Sequence, residues 1–94
     1  MISKKRMYDI DFVCLSVVSG MFSDFINPKF RGPNFSWTGF PEMVSRFCVN
    51  QVYLSCPWAF EMESEKQRKE IDRYSQESAM RYAKQFIKNA GLGD

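Results

Sequence analysis

From Asp9 onward the apolar positions Ile10, Val13, Cys14, Val17, Val18, Met21, Phe22 and Phe25 recur at spacings of three and four, the pattern of one helical face. They predict a first helix over residues 9–26. Asp9 is read as its N-cap, since a carboxylate there can accept from the free amides of the first turn. Asn27-Pro28 closes it, because the residue before a proline avoids helical geometry. Propensity pulls the other way. Phe12, Val13, Val17 and Val18 favour extended chain, and Gly20 costs about 1 kcal/mol against alanine inside a helix. A strand over residues 10–18 is therefore the alternative.

A second helix is predicted over residues 41–55. Pro41 suits a first helical position, where its missing N–H is not needed, and Glu42 complements the dipole. Val44, Phe47, Cys48 and Val52 mark its inner face. A third, long helix is predicted over residues 58–90, opened by Pro57, with Glu65 to Asn89 its clearest stretch. Ile71, Tyr74, Ser75, Ser78, Ala79, Tyr82 and Phe86 fall on one side, and Lys69, Arg73, Glu77, Arg81, Lys84 and Lys88 on the other. Ser64 and Gln67 have capping-box spacing, so residues 57–63 are either the first turns of this helix or a separate short piece. Glu65–Lys69 and Glu77–Arg81 form favourable i,i+4 pairs, and Gly91 terminates the helix. A helix of about 25 residues spans roughly 37 Å, longer than a compact chain of this size needs. A homodimer resting on part of its apolar face is therefore expected.

The fold class is all-α: one small three-helix domain, residues 1–94, with an aromatic-rich loop between helices one and two. That loop, Pro28 to Pro41, holds Phe30, Phe35, Trp37 and Phe40 together with Lys29 and Arg31. Its prolines and glycines stop regular structure, yet four large aromatics need a cover. Three readings rank in order: a lid over a small helical core, a partner-binding surface built on Lys29, Phe30, Arg31, Phe35 and Trp37, and a platform for stacking on nucleotides.

Composition narrows the picture. An aromatic content of 16% in 94 residues is heavy, and at about 150–250 Å² each these rings can supply much of a small core or an interface. The formal net charge is +2, which argues against a strongly basic nucleic-acid binder on bulk charge. Arg73, Arg81, Lys84 and Lys88 could contact phosphates, but a charged outer face is the ordinary property of an amphipathic helix. Cys14, Cys48 and Cys56 make an odd count without CxxC spacing, read as reduced thiols in a cytoplasmic compartment. The N-terminus imitates a secretory leader, but Asp9 and Asp11 separate its cations from the apolar run. That run, Phe12 to Phe22, is shorter than the about 20 residues a membrane span needs, so no membrane partner is expected.

The chain has no histidine, which removes Ser-His-Asp, Cys-His and His-containing zinc chemistry. Neither phosphate-binding glycine motif occurs, and the Gly91-Leu92-Gly93 cluster reads as a terminus. Glu61, Glu63 and Glu65 would not share a helical face, and read as a solvated charge run. Asp9 and Asp11 read as cap and first-turn residues rather than ligands. No cofactor or metal is expected. The leading functional reading is a non-enzymatic interaction protein that binds and modulates another protein, of the inhibitor or adaptor type that mobile elements encode. Nucleic-acid or nucleotide binding through the loop and the basic face of the last helix comes second. An enzyme using carboxylates or Cys56 comes third.

Overall fold

Ser3, not Asp9, starts the first helix. The structure is a computed structural model and describes residues 2–61 and 64–92; Glu63 and Gly93 of the sequence reading lie outside them. Helix α1 runs Lys4–Ile26, and the Ser3 hydroxyl accepts from the Arg6 amide at 3.3 Å. The periodic pattern wins over the β-prone residues: residues 10–18 are helical throughout. The added first turn carries Lys4, Lys5 and Arg6, so no carboxylate complements the dipole there, and the side-chain cap satisfies one of its free amides. Asp9 and Asp11 consequently sit inside the helix, and both face other elements.

A 3-10 turn at Pro28–Phe30 follows, then α2 (Phe40–Ser55), α3 (Pro57–Phe60) and α4 (Glu65–Ala90). Of the two readings offered for the start of the long helix, the separate short piece holds: α3 stands apart, and the long helix runs Glu65–Ala90 rather than 58–90. Glu61 ends the short α3, and at Ser64 the chain restarts with a full capping box: Ser64 Oγ accepts from the Gln67 amide, and the Gln67 side chain accepts from the Ser64 amide. The two reciprocal bonds satisfy two of the amides that a new N-terminus would otherwise leave without partners. At the other end Gly91 takes φ +69°, and its amide and that of Leu92 bond back to Lys88 and Ile87. This left-handed closure fits glycine, which has no Cβ to clash.

Contacts set the topology. Cys14 lies against Cys48 and Phe22 against Phe40, so α1 and α2 run antiparallel. Asp11 lies against Ser78 and Phe22 against Phe86, so α4 runs parallel to α1. The result is an up-down-up bundle measuring 42 × 22 × 18 Å, its long axis set by α4. The core is a column of Ile10, Cys14 and Val18 from α1, Val44, Cys48 and Val52 from α2, and Ile71, Ala79, Ala83 and Ile87 from α4. Small residues on α4 let three helix backbones approach closely. The inner face of α4 packs against α1 and α2, with buried residues from Ile71 to Ile87.

The aromatic segment is a lid. Trp37 and Phe40 are 6% and 1% exposed. Trp37 packs edge-on to Phe35 at 4.9 Å and against Phe22 at 5.4 Å, and Phe35 stacks on Phe25 at 5.1 Å. Rings from α1, the loop, α2 and α4 thus plug one end of the bundle. Edge-to-face pairs at these separations add about 0.5–1.5 kcal/mol each beyond burial.

Candidate functional site

The residues expected to bind a partner divide. Trp37 belongs to the core and Phe35 is half-buried in the same ring cluster, so neither presents a full face to solvent. Lys29 and Phe30 are exposed on the 3-10 turn, Phe30 at 61%, and Arg31 is half-buried beside them. What this segment offers a partner is Lys29-Phe30-Arg31, not the five residues together.

The possible phosphate-contacting cations also divide. Arg73 Nε bonds Glu77 Oε1 at 3.0 Å. Arg81, expected to pair with Glu77, turns instead to Asp11 at 3.5 Å. Lys84 and Lys88 point to solvent. Asp11 explains the exchange. Its carboxylate accepts from Ser78 Oγ at 2.6 Å and from Tyr74 Oη at 3.0–3.1 Å, and the Arg81 guanidinium completes the cluster. Burial, then the bond to Asp11, raises the Tyr74 phenol above its ordinary range. The cluster ties α1 to α4 and has no open acceptor aimed into a cavity. Its role is structural.

The three cysteines are free and buried. Cys14 Sγ lies 3.5 Å from the Ser75 carbonyl and Cys48 Sγ lies 3.9 Å from the Cys14 carbonyl. The contact with Cys14, then burial, pushes the Cys48 thiol up, and burial pushes Cys56 up. Cys56, the one thiol off a predicted helix face, is 4% exposed, and burial and then Asp9 disfavour its thiolate. Among the described residues no group of three His, Cys, Asp or Glu side chains is placed to hold a metal ion. No helix there is long and apolar enough to cross a membrane.

A further surface feature lies elsewhere. A groove of about 580 Å³ runs between α1 and the corner where α2 meets α3. Tyr8 and Phe12 form one rim, Pro57 and Trp58 the other, and Val13, Ser16 and Cys56 lie between. Asp9 accepts from Trp58 Nε1–H at 3.2 Å, and the Arg6 guanidinium sits 4.9 Å from the Trp58 ring centre. Those contacts fix the α3 corner against α1 and hold the Trp58 ring as a wall.

The apolar surface continues down α2. Tyr53 bonds Asp72 of α4 at 2.8 Å, so the flank of α2 opposite Tyr53 looks away from α4. At 3.6 residues per turn, Phe47 and Leu54 fall about 100–120° round α2 from both Tyr53 and Cys48, off the α4 side and off the core. In the register set by Cys14 and Cys48, Leu54 stands level with Tyr8, and Phe47 level with Leu15 and Ser16. Tyr8, Phe12, Phe47 and Leu54 are 69%, 61%, 54% and 73% exposed. Phe47 was expected on the inner face of α2. It lies one position before Cys48, and a step of about 100° per residue carries it off the core. The signal for this surface was present in the sequence as apolar residues left over once the inner faces are assigned: Tyr8, Phe12 and Leu15 on α1, and Leu54 on α2.

Comparison with known proteins finds no matching family model, no matching curated protein and no matching solved structure.

Proposed function

We propose that this chain is a non-enzymatic interaction protein that binds another protein and modulates it, and that the face shared by α1 and α2 is its contact surface. One observation carries the reading: Tyr8 and Phe12, which line the groove, stand more than half exposed, as do Phe47 and Leu54 on the neighbouring α2. With side chains of about 150–250 Å², they leave roughly 400–600 Å² of apolar surface in water. Single exposed apolar residues need no explanation, but a patch of about 300–600 Å² is at the upper end for a monomer and marks interaction sites. Aromatic anchors are also what interface hot spots use.

The test compares the wild-type chain with Phe12→Glu/Leu54→Glu as immobilised baits, with Phe30→Glu as a control on the other end of the molecule. The reading expects a saturably retained protein that the double variant loses and Phe30→Glu keeps, with retention little changed between low and moderate salt. Retention equal on all three baits contradicts the surface. Retention lost in all three by salt alone returns the assignment to the exposed lysines.

A further inference from the structure

We infer that the α1–α2 face takes an amphipathic α-helix of the partner, flanked by acidic residues, as the fourth helix of the bundle. The inference rests on the interaction reading above and names the shape and charge of what binds.

The face has the form of a helix seat. α1 and α2 are antiparallel neighbours, and between their exposed flanks runs a shallow channel. Its rims carry large side chains, Tyr8 and Phe12 on α1 and Pro57 and Trp58 at the corner where α2 meets α3, with the exposed Leu54 just before that corner. Its floor is low: Val13 and Ser16 lie between the rims. Phe47 and Leu54 are seven residues apart and Tyr8 and Phe12 four apart, the spacings at which one helix interdigitates with another. From Tyr8 to Ser16 the channel extends about 12 Å at 1.5 Å per residue, enough for about two turns of a docked helix. The roughly 400–600 Å² of exposed apolar surface is more than half of the about 800 Å² that each side of a standard interface buries. A flat partner surface would reach the rims and leave the floor empty. A single helix with apolar residues at i, i+3, i+4 and i+7 fills both.

Charge selects the flank. Lys4, Lys5 and Arg6 form the first turn of α1 at one end of the channel, and the positive end of the α1 dipole points the same way. Lys5 falls on the same side of α1 as Phe12, seven residues on. The carboxylate lining the channel, Asp9, is engaged by the Trp58 indole. A helix with glutamates at that end gains attraction there, and one with lysines meets repulsion.

The two indole N–H groups provide the readout, because Trp58 lines the channel and Trp37 is in the core. In ¹H–¹⁵N spectra of the full chain, the probe is a synthetic amphipathic helix with leucine on one face and glutamate on its flanks. Controls are the same helix with lysine flanks and the same sequence interrupted by two prolines. The glutamate helix is expected to shift the Trp58 indole and amides of residues 8–16 and 47–58 saturably, leaving Trp37 in place. It should bind at least tenfold more tightly than the lysine helix, with that margin shrinking in Lys5→Glu. No shift at Trp58, or equal shifts with the proline-broken sequence, overturns the helix seat. Shifts of the same residues on raising protein concentration without peptide also overturn it, assigning the face to a second copy of the chain. If the peptides fail while Phe12→Glu/Leu54→Glu still abolishes bait retention, the interaction reading stands and the helix seat alone falls.

Discussion

The loop aromatics and the helix-face aromatics of this chain are placed in opposite ways. Trp37 comes from a segment rich in proline and glycine and Phe40 from the helix start that follows it, and both are almost fully buried. Tyr8, Phe12 and Phe47 come from regular helices, and they stand in water. An irregular segment can aim chosen rings inward, as it does Trp37 while Phe30 stays 61% exposed, because no periodicity dictates where its side chains go. A helix cannot. Once Ile10, Cys14 and Val18 face the core, the positions two before and two after them must face out, whatever residue occupies them. The loop rings therefore report on stability, and the helix-face rings report on what the molecule meets.

The widest separation between the two regions is expected in stability. Trp37→Ala removes the centre of the ring cluster and should cost about 3–5 kcal/mol, a large share of the 5–15 kcal/mol that holds a typical domain together. Phe12→Ala should stay within about 0.5 kcal/mol, as for surface positions generally. Urea unfolding of both variants measures the contrast. Equal losses would erase the distinction between lid and surface.

A smaller effect tests whether the α1 face is held in place by polar contacts behind it. Asp11→Ala leaves the fully buried Ser78 hydroxyl without its acceptor. Leaving such a group unpaired costs about 1–3 kcal/mol. The same unfolding experiment reads it, and adding Ser78→Ala should recover part of the loss.

The smallest effect is a pH dependence at the α2–α4 and α1–α4 contacts. Burial, and then the bond to Asp72, pushes the Tyr53 phenol up to about 12, and Tyr74 shifts the same way against Asp11. Both folded values lie above the about 10 of an unfolded chain. The folded state therefore holds these protons more tightly. Its contribution is complete below about pH 10 and is lost as pH rises toward the folded value near 12. Melting temperatures from pH 8 to 12 should fall over the upper half of that range, and Tyr53→Phe should flatten part of the fall.

Much of the architecture was legible in the sequence, because three- and four-residue spacing reports the inner face of a helix directly. The inner positions assigned on α1 and α4 are buried or half-buried. The misreadings have local causes. Ser3 outcompeted Asp9 as a cap because a helix begins wherever its first amides are satisfied, and polar residues before the apolar run carry no periodic signal. The restart at Ser64 depends on a reciprocal pair of bonds that spacing allows but does not compel. Arg81 chose Asp11 over Glu77 because α4 lies beside α1, a neighbour no local rule reveals. The interaction face was the least legible part, since it consists of apolar residues from two helices 40 positions apart that only the antiparallel register brings level.

Hydroxyl-radical labelling of the free chain, read residue by residue in a mass spectrometer, tests the opposition of the two regions most directly. Tyr8, Phe12, Phe47 and Leu54 are expected to be modified rapidly while Trp37 and Phe40 stay protected until the chain is unfolded. Rapid modification of Trp37 with protection of Phe12 and Phe47 would contradict both the lid and the contact face.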